Sequence, residues 1–160
     1  MDRLWAPWRK KFLHYTQPTG CIFCQKPKTS SKKSEAKNLL LFRGKKVFSM
    51  LNLYPYNNGH VLIAPYRHVA SPLDLTGQED AEMTAMLRML LKKMQKTLRP
   101  QGYNIGMNVG RVAGAGFDKH IHMHAVPRWR GDVNFMSMVA DNKVLSESLQ
   151  SLRQKLLACK

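Results

Sequence analysis

The feature that most constrains the fold is one long amphipathic segment set between short apolar runs. Within Gly77–Leu98, apolar side chains recur at spacings of three and four residues, which predicts a helix. Thr76 and Glu79 are spaced to form its capping box. Pro100 and Gly102 follow it as helix breakers. A helix with one apolar face must pack on another layer, so the remaining elements are expected to supply a sheet.

Short strand patterns lie on both sides of this helix. The predicted strands are residues 39–43, 46–51, 60–64, 103–109 and 120–126. The first two flank Gly44 and predict a hairpin. A last helix would place four leucines on one face: Leu145, Leu149, Leu152 and Leu156. Strands grouped around one long helix, without regular strand and helix alternation, predict an α+β fold with a mainly antiparallel sheet.

The chain of 160 residues is predicted to be one domain, residues 1–160. Residues 1–37 would hold a basic arm, a cysteine knuckle and a mobile loop. That loop is placed at residues 26–34, which are polar, basic and free of apolar periodicity. Residues 38–128 would form the core, and residues 129–160 a C-terminal loop and helix.

The formal net charge is +16, and twelve of the 26 Lys and Arg residues lie within the first 46 positions. Such a field concentrates anionic ligands without identifying them. The longest apolar run, residues 38–42, is too short to cross a bilayer, so no membrane partner is expected. The N-terminus lacks the apolar region of a signal peptide, which predicts a cytoplasmic protein. Three cysteines in that compartment argue against a disulfide framework.

Three histidines, His120, His122 and His124, alternate with apolar residues. On a strand they would share one face, with neighbouring imidazoles about 7 Å apart. Imidazole is neutral and nucleophilic near pH 7, so the middle histidine is the natural nucleophile towards a phosphorus atom. The flanking rings could orient it or contact phosphate oxygens. The same spacing can equally supply metal ligands.

A glycine-rich stretch, residues 108–116, lies immediately upstream of these histidines. Its glycines would let backbone N–H groups approach an oxyanion closely. It matches neither the Walker motif nor the dinucleotide-binding fingerprint. Taken alone, such a stretch is more often a plain turn, but its position beside three histidines favours a phosphate-binding loop.

Cys21 and Cys24 have the two-residue separation that lets one knuckle supply two thiolates to zinc. His68 and His120 could complete a tetrahedral site that fastens the N-terminal segment to the sheet. A redox dithiol and a pair of unliganded cysteines remain open alternatives. Cys159 has no evident role.

Two of these stretches resemble the histidine triad (HIT) superfamily. Residues 120–128 resemble its signature strand, and residues 59–65, with Asn52 upstream, resemble its second motif. The resemblance runs from about Cys21 to Arg128. It implies a HIT-like α+β fold with a mainly antiparallel five-stranded sheet, one long helix and a C-terminal helix. It also implies a homodimer across which the sheet continues.

The resemblance further implies a nucleotidyl-enzyme intermediate that water, phosphate or another acceptor resolves. Carried over, His122 is the nucleophile, His124 contacts the α-phosphate and His60 supports the triad. The implied nucleotide-binding residues are Asn52, Asn108, Gly114, Ala115, Gly116 and His124. Zinc-bearing relatives use a ligand set that matches Cys21, Cys24, His68 and His120. Structural zinc is therefore expected, with no catalytic metal at the triad.

Residues 4–9 and 129–136 resemble a bacterial branch related to diadenosine tetraphosphate phosphorylases and to dinucleoside polyphosphate hydrolases such as the fragile histidine triad protein. This predicts a nucleotidyl hydrolase or transferase acting on dinucleoside polyphosphates. Trp129 could pack at the domain edge or the dimer interface, or it could stack on a base.

Many relatives carry Gln, Ser or Thr shortly before the triad, and residues 115–119 offer none of these. A nucleotide-binding module, or a nucleoside phosphoramidase with weak or different turnover, is therefore the alternative. Nucleic acid ranks low as a partner, since no second DNA-binding module is visible.

Overall fold

The computed structural model describes residues 20–29, 31–132 and 146–159. Its elements in chain order are α1 (Ile22–Gln25), a 3₁₀ turn (Lys26–Lys28), α2 (Lys32–Lys37), β1 (Leu40–Arg43), β2 (Val47–Leu51), β3 (Val61–Pro65), a second 3₁₀ turn (Pro72–Asp74), α3 (Gly77–Leu98), β4 (Gly102–Met107), β5 (Met123–Arg128) and α4 (Leu149–Ala158). Within these ranges five strands form one sheet in the order β1-β2-β3-β5-β4, and every neighbouring pair is antiparallel. The predicted α+β class and antiparallel five-stranded sheet are confirmed.

The long helix α3 has the bounds that the apolar spacing predicted. Its capping box is complete: the Thr76 hydroxyl accepts from the Glu79 amide at 3.3 Å, and the Glu79 carboxylate accepts from the Thr76 amide at 2.8 Å. The Arg67 guanidinium, 2.7 Å from this carboxylate, lowers the pKa of Glu79 to about 2. The helix ends at Arg99, which adopts the left-handed conformation with φ of 48°.

Apolar side chains cover both faces of the sheet. One cluster packs the sheet against α3 and α4 and contains, among others, Leu51, Ile63, Met83, Leu90 and Leu152. The second lies on the opposite face and joins α1 to the sheet through Phe23, Leu40, Phe48, Met50, Leu62 and Ala64. His124 pairs with Leu62 across β5 and β3, and cross-strand partners share a face. The histidine-bearing end of β5 therefore opens onto the face that α1 covers.

The loop predicted at residues 26–34 is mostly helical, so that prediction is wrong. The first 3₁₀ turn and α2 occupy most of it. The Arg43 guanidinium holds this segment by donating to the carbonyl oxygens of Pro27 and Thr29 and by pairing with Glu35 at 2.8 Å. These contacts come from a distant strand, and local periodicity does not reveal them.

The fifth strand begins at Met123 and not at His120, as the alternation had predicted. The Ile121 amide donates at 2.7 Å to the carbonyl of Val69, which lies in the loop after β3. The first two triad histidines therefore precede β5 and do not belong to the ladder. His60, predicted as the first residue of the third strand, likewise lies just before β3.

The predicted C-terminal helix is present as α4, with Leu152 and Leu156 buried. Leu145, and residues 4–9 of the N-terminal arm, lie outside the described residues. Among the described residues, no helix combines the length and the apolar character that a membrane-spanning segment requires.

Candidate active site

Three histidines meet where β5 begins beside the start of β3. The ring centroids of His122 and His124 lie 4.9 Å apart, and those of His60 and His124 lie 5.1 Å apart. Only 1% of His60 and 6% of His122 is exposed. The structure thus brings the three predicted catalytic side chains into one cluster that is largely shielded from water.

A chain of hydrogen bonds fixes the tautomers of two of these histidines. The Tyr56 backbone N–H can only donate, and it lies 3.0 Å from His60 Nδ1, so that nitrogen must accept. The neutral His60 ring then carries its proton on Nε2, which lies 2.9 Å from His124 Nδ1 and donates to it. His124 in turn carries its proton on Nε2. A backbone amide therefore determines which nitrogen of His124 is a donor.

That donor, His124 Nε2, is buried and has no hydrogen-bond partner among the described residues. An unsatisfied buried N–H costs about 1 to 3 kcal/mol, so its presence at a candidate site points to a ligand acceptor. Burial, and then the neighbouring His122, lower the pKa of His124 to about 4. The ring is therefore neutral near pH 7 and presents one N–H, as the tautomer chain requires.

His122 is held in the complementary tautomer. Its Nδ1 lies 2.8 Å from the carbonyl oxygen of His120, which can only accept. Nδ1 therefore carries the proton, and Nε2 keeps its lone pair. Burial lowers the pKa of His122, which favours the neutral ring. The cluster thus offers a nucleophilic nitrogen next to a hydrogen-bond donor, the pairing that attack on a phosphoryl group requires.

Asn52, a predicted nucleotide-binding residue, braces the histidine cluster. Its Nδ2 lies 3.2 Å from His60 Nδ1, and its Oδ1 accepts from the Tyr54 amide at 3.0 Å.

Trp129 follows β5 and is half-buried. Its backbone N–H donates to Asp132 Oδ2 at 3.2 Å.

The glycine-rich stretch folds as a turn closed on itself. The Gly114 amide donates to the carbonyl of Arg111, and the Ala115 amide donates to that of Gly110. Asn108 Nδ2 donates to the Gly114 carbonyl at 3.4 Å. Two of the amides expected to bind phosphate are therefore engaged within the loop in this conformation.

Gly116 lies in the same loop, directly before Phe117 and Asp118. The Asp118 carboxylate pairs with the Arg111 guanidinium at 3.0 Å. This ion pair partly neutralises a carboxylate that would otherwise repel a phosphate.

Four metal-ligand donors converge beside the histidine cluster, from Cys21, Cys24, His68 and His120, within 4.8 Å of one another. His120 Nδ1 lies 3.3 Å from Cys21 Sγ and 3.3 Å from His68 Nδ1. Cys24 Sγ lies 3.3 Å from His68 Nδ1. His120 Nε2 donates to the Pro65 carbonyl at 3.0 Å, which leaves the Nδ1 lone pair facing the sulfur atoms.

This donor set fits zinc. Two thiols and two imidazoles form a closed tetrahedral set of the kind that zinc takes in structural sites. Burial and the adjacent Cys21 raise the pKa of the Cys24 thiol, and a bound cation would offset that effect by favouring the thiolate.

The HIT domain family model matches residues 33–131, which include β1 to β5, α3 and all three clustered histidines. This chain belongs to the HIT family. The matched range begins after Cys21 and Cys24, so the cysteine knuckle lies outside it.

Two relatives of this chain have names that state an activity. An AP-4-A phosphorylase from Mycobacterium tuberculosis is 37% identical over 161 residues, covering 98% of this chain and 83% of its own length. An adenosine 5'-monophosphoramidase from Schizosaccharomyces pombe is 30% identical over 109 residues, covering 68% of this chain and 74% of its own.

A solved HIT structure supports the fold. The crystal structure of a zinc-bound histidine triad family protein from Mycobacterium smegmatis superposes with a TM-score of 0.67 at 23% identity, covering 88% of this chain and 92% of that one. At this identity the likeness establishes the architecture alone.

Sequence reasoning missed two aromatic residues of this HIT site. The Tyr56 ring stacks on His60 at 4.8 Å and lies 5.9 Å from His124. The Phe23 ring stacks on His122 at 4.5 Å. The only sequence signals were the place of Tyr56 in a dense turn before His60 and that of Phe23 between two cysteines, and neither signal points to a histidine partner.

Proposed function

We propose that this HIT protein is a nucleotidyl hydrolase or transferase that cleaves dinucleoside polyphosphates through a nucleotidyl intermediate on His122. The observation that carries the proposal is the pair of opposed tautomers: a lone pair on His122 Nε2 beside an N–H on His124 Nε2. The AP-4-A phosphorylase relative supports the substrate class. The net charge of +16 suits a substrate with several negative charges.

In the first step, His122 Nε2 attacks the α-phosphorus of the substrate. A P–N bond forms as the anhydride P–O bond breaks, and the remaining polyphosphate leaves with the electron pair. His124 Nε2–H donates to an α-phosphoryl oxygen and stabilises the charge that develops there. His60 keeps His124 in the donor tautomer by donating to its Nδ1.

In the second step, an acceptor oxygen attacks the same phosphorus atom and the P–N bond breaks. Water as acceptor gives a mononucleotide and a proton, whereas inorganic phosphate gives a nucleoside diphosphate. His122 returns to its neutral form in both cases. The acceptor thus decides whether the protein is a hydrolase or a phosphorylase.

The nucleotide contacts are part of the proposal. Asn52 would hold the ribose hydroxyls, and Trp129 would lie near the base. The loop from Asn108 to Gly116 would contact the phosphates after its amides exchange their present carbonyl partners for phosphate oxygens.

The donor cluster is proposed to hold structural zinc. Bound there, zinc would neutralise the thiolates and cross-link the knuckle to the sheet. We expect one zinc per chain in the parent protein and in Cys159→Ser, and loss of zinc in Cys24→Ser, by elemental analysis. Zinc retained in Cys24→Ser would contradict this assignment.

The activity is tested with diadenosine tetraphosphate, with and without inorganic phosphate. Phosphorolysis gives ADP and ATP, whereas hydrolysis gives AMP and ATP. We expect His122→Asn to abolish turnover and to prevent the mass increase of one adenylyl group in enzyme that is quenched in alkaline denaturant, because the P–N bond is labile in acid. Leu73→Asn changes a residue that is 93% exposed in the second 3₁₀ turn and serves as the control. No turnover under either condition would reject the proposal, as would equal turnover by His122→Asn and the parent.

A second candidate is a nucleoside phosphoramidase, in which the same attack would break a P–N bond of the substrate. The monophosphoramidase relative favours it, as does the lack of Gln, Ser or Thr among residues 115–119. Adenosine 5'-monophosphoramidate and diadenosine tetraphosphate should be compared by kcat/KM. A higher value for the phosphoramidate would select this candidate.

A further inference from the structure

Phe23 connects the cysteine knuckle to the proposed nucleophile. It lies between Cys21 and Cys24 in α1, and only 1% of it is exposed. Its ring stacks on His122 with centroids 4.5 Å apart and an interplanar angle of 27°. The same ring lies 5.1 Å from that of His120. One aromatic side chain therefore contacts both a donor of the metal cluster and the nucleophile.

We propose that Phe23 is a positioning residue that sets the plane of the His122 ring, and that the Cys21–Cys24 knuckle holds Phe23 in place. The inference rests on the proposed function in that it takes His122 as the nucleophile. It adds a physical connection, through Phe23, between the metal cluster and the direction in which His122 Nε2 attacks.

The hydrogen bond of His122 leaves the orientation of its ring plane free, and Phe23 can control that orientation. The bond from Nδ1 to the His120 carbonyl fixes the distance of one ring atom. The terminal torsion of histidine is broad, so one such bond does not fix the ring plane. A flat aromatic face at stacking distance does fix it. Together the two contacts define where the Nε2 lone pair points.

The helix that carries Phe23 needs support from outside. α1 has four residues, and no side-chain hydrogen bond caps its N-terminus. A helix of one turn is not stable alone. The thiols on either side of Phe23 lie 3.3 to 3.6 Å from His120 Nδ1, and the Cys24 thiol is also 3.3 Å from His68 Nδ1. Ligation of the four donors would therefore lock the turn, and its release would free Phe23 to move.

Phe23 also meets the loop proposed to bind phosphate. The Phe117 ring packs edge-on against it with centroids 5.9 Å apart. Phe117 follows Gly116 directly, so movement of Phe23 would disturb both the nucleophile and this loop.

A matched pair of variants separates positioning from bulk stability. Phe23→Leu and Phe48→Leu remove the same ring from the same apolar cluster. Phe48 is also fully buried, but its ring stacks on Tyr66. We expect both variants to lose similar thermal stability, whereas Phe23→Leu alone lowers kcat for diadenosine tetraphosphate, by about ten- to a hundred-fold with a smaller change in KM. Equal kcat losses in the two variants would overturn the proposal.

A spectroscopic measurement tests the same contact without turnover. In protein with isotope-labelled histidine, the stacked Phe23 ring should shift the His122 ring C–H resonances upfield. We expect that shift to disappear in Phe23→Leu and to persist in Phe48→Leu. If the parent lacks activity but shows this pattern, the proposed function fails and the positioning role stands. If the parent is active and the resonances do not respond to Phe23→Leu, the positioning role fails.

The role of the knuckle is tested by removing zinc from the folded parent with a chelator. The His122 resonances should move towards their positions in Phe23→Leu, and Cys24→Ser should give the same result. Resonances that stay in place after zinc is removed would overturn the connection between the knuckle and His122.

Discussion

At the residue scale, backbone groups decide the chemistry of the histidines. The Tyr56 amide can only donate and the His120 carbonyl can only accept, so each sets the tautomer of its imidazole partner. The two effects are opposite: His124 Nε2 becomes a hydrogen-bond donor, whereas His122 Nε2 keeps its lone pair. Chemically identical histidine side chains thus acquire different roles from backbone amide and carbonyl groups, which nearly every residue carries.

The first prediction concerns the relay through His60. His60→Ala removes the donor to His124 Nδ1, so the other tautomer becomes accessible and kcat should fall by about ten- to a hundred-fold. His60→Gln places an amide N–H near the former Nε2 position and should recover part of that loss. Equal activities of the two variants in a steady-state assay would show that the relay does not set the tautomer.

The second prediction concerns pH and His124. Its folded-state pKa of about 4 lies below the ordinary value of 6.5, chiefly because of burial. Above pH 6.5 the ring is neutral in both the folded and the unfolded chain. As pH falls from 6.5 to 4 the unfolded chain gains the proton first, so the free energy of unfolding should drop by about 2 to 3 kcal/mol. Chemical denaturation at a series of pH values should show that the free energy of unfolding depends less steeply on pH in His124→Gln than in the parent. An equal pH dependence in the two proteins would contradict the lowered pKa of His124.

At the element scale, the turn before β3 places His60. Gly59 has φ of 80°, and a Cβ added there would lie 2.7 Å from Leu98 Cδ1 and 2.9 Å from Pro127 Cγ. A positive φ already disfavours other residues, and the rigid proline ring cannot move away. The turn therefore fixes His60 relative to the ends of both α3 and β5.

The third prediction follows from this turn. Gly59→Ala should reduce the free energy of unfolding by about 1 to 3 kcal/mol and lower kcat, because strain and contact both displace His60. Gly77→Ala, at the start of α3, meets no atom within 4 Å and should leave stability equal or higher. Denaturation and kinetics of the two variants check both statements. A Gly59→Ala protein as stable and active as the parent would show that the turn tolerates a side chain.

At the scale of the whole molecule, β4 is an edge strand of the sheet formed by the described residues. β4 pairs with β5 on one side and is the last strand of the order. Ile105 in this strand is 45% exposed. An open edge with an exposed apolar side chain favours pairing with another chain. We therefore propose that the sheet continues through β4 into the second subunit of a homodimer.

The fourth prediction tests this edge. Sedimentation should show a dimer for the parent and a monomer for Ile105→Lys at the same concentration, because a charge would be buried in the interface. Val112→Lys changes a fully exposed loop residue and should remain dimeric. A monomeric parent, or a dimeric Ile105→Lys, would exclude β4 as the dimer edge.

The sequence predicted what depends on local spacing. The three- and four-residue recurrence predicted α3 with its bounds, and the positions of Thr76 and Glu79 predicted its cap, because helix geometry is set by near neighbours in the chain. The alternating histidines and the paired cysteines likewise marked candidate sites, since ligand and strand spacings are short-range properties. The HIT family and its antiparallel sheet followed from the same motifs.

The tertiary structure alone decided what depends on distant partners. The Arg43 guanidinium orders the segment predicted as a loop, and the bond from the Ile121 amide to the Val69 carbonyl keeps the first triad histidines outside the β5 ladder. His60 donates to His124, and Phe23 stacks on His122. Each of these contacts joins residues that the fold brings together, and its direction depends on side-chain packing. A sequence can thus specify that histidines alternate. Which nitrogen of each ring faces a substrate is set by the hydrogen bonds and aromatic faces that surround it in the folded chain.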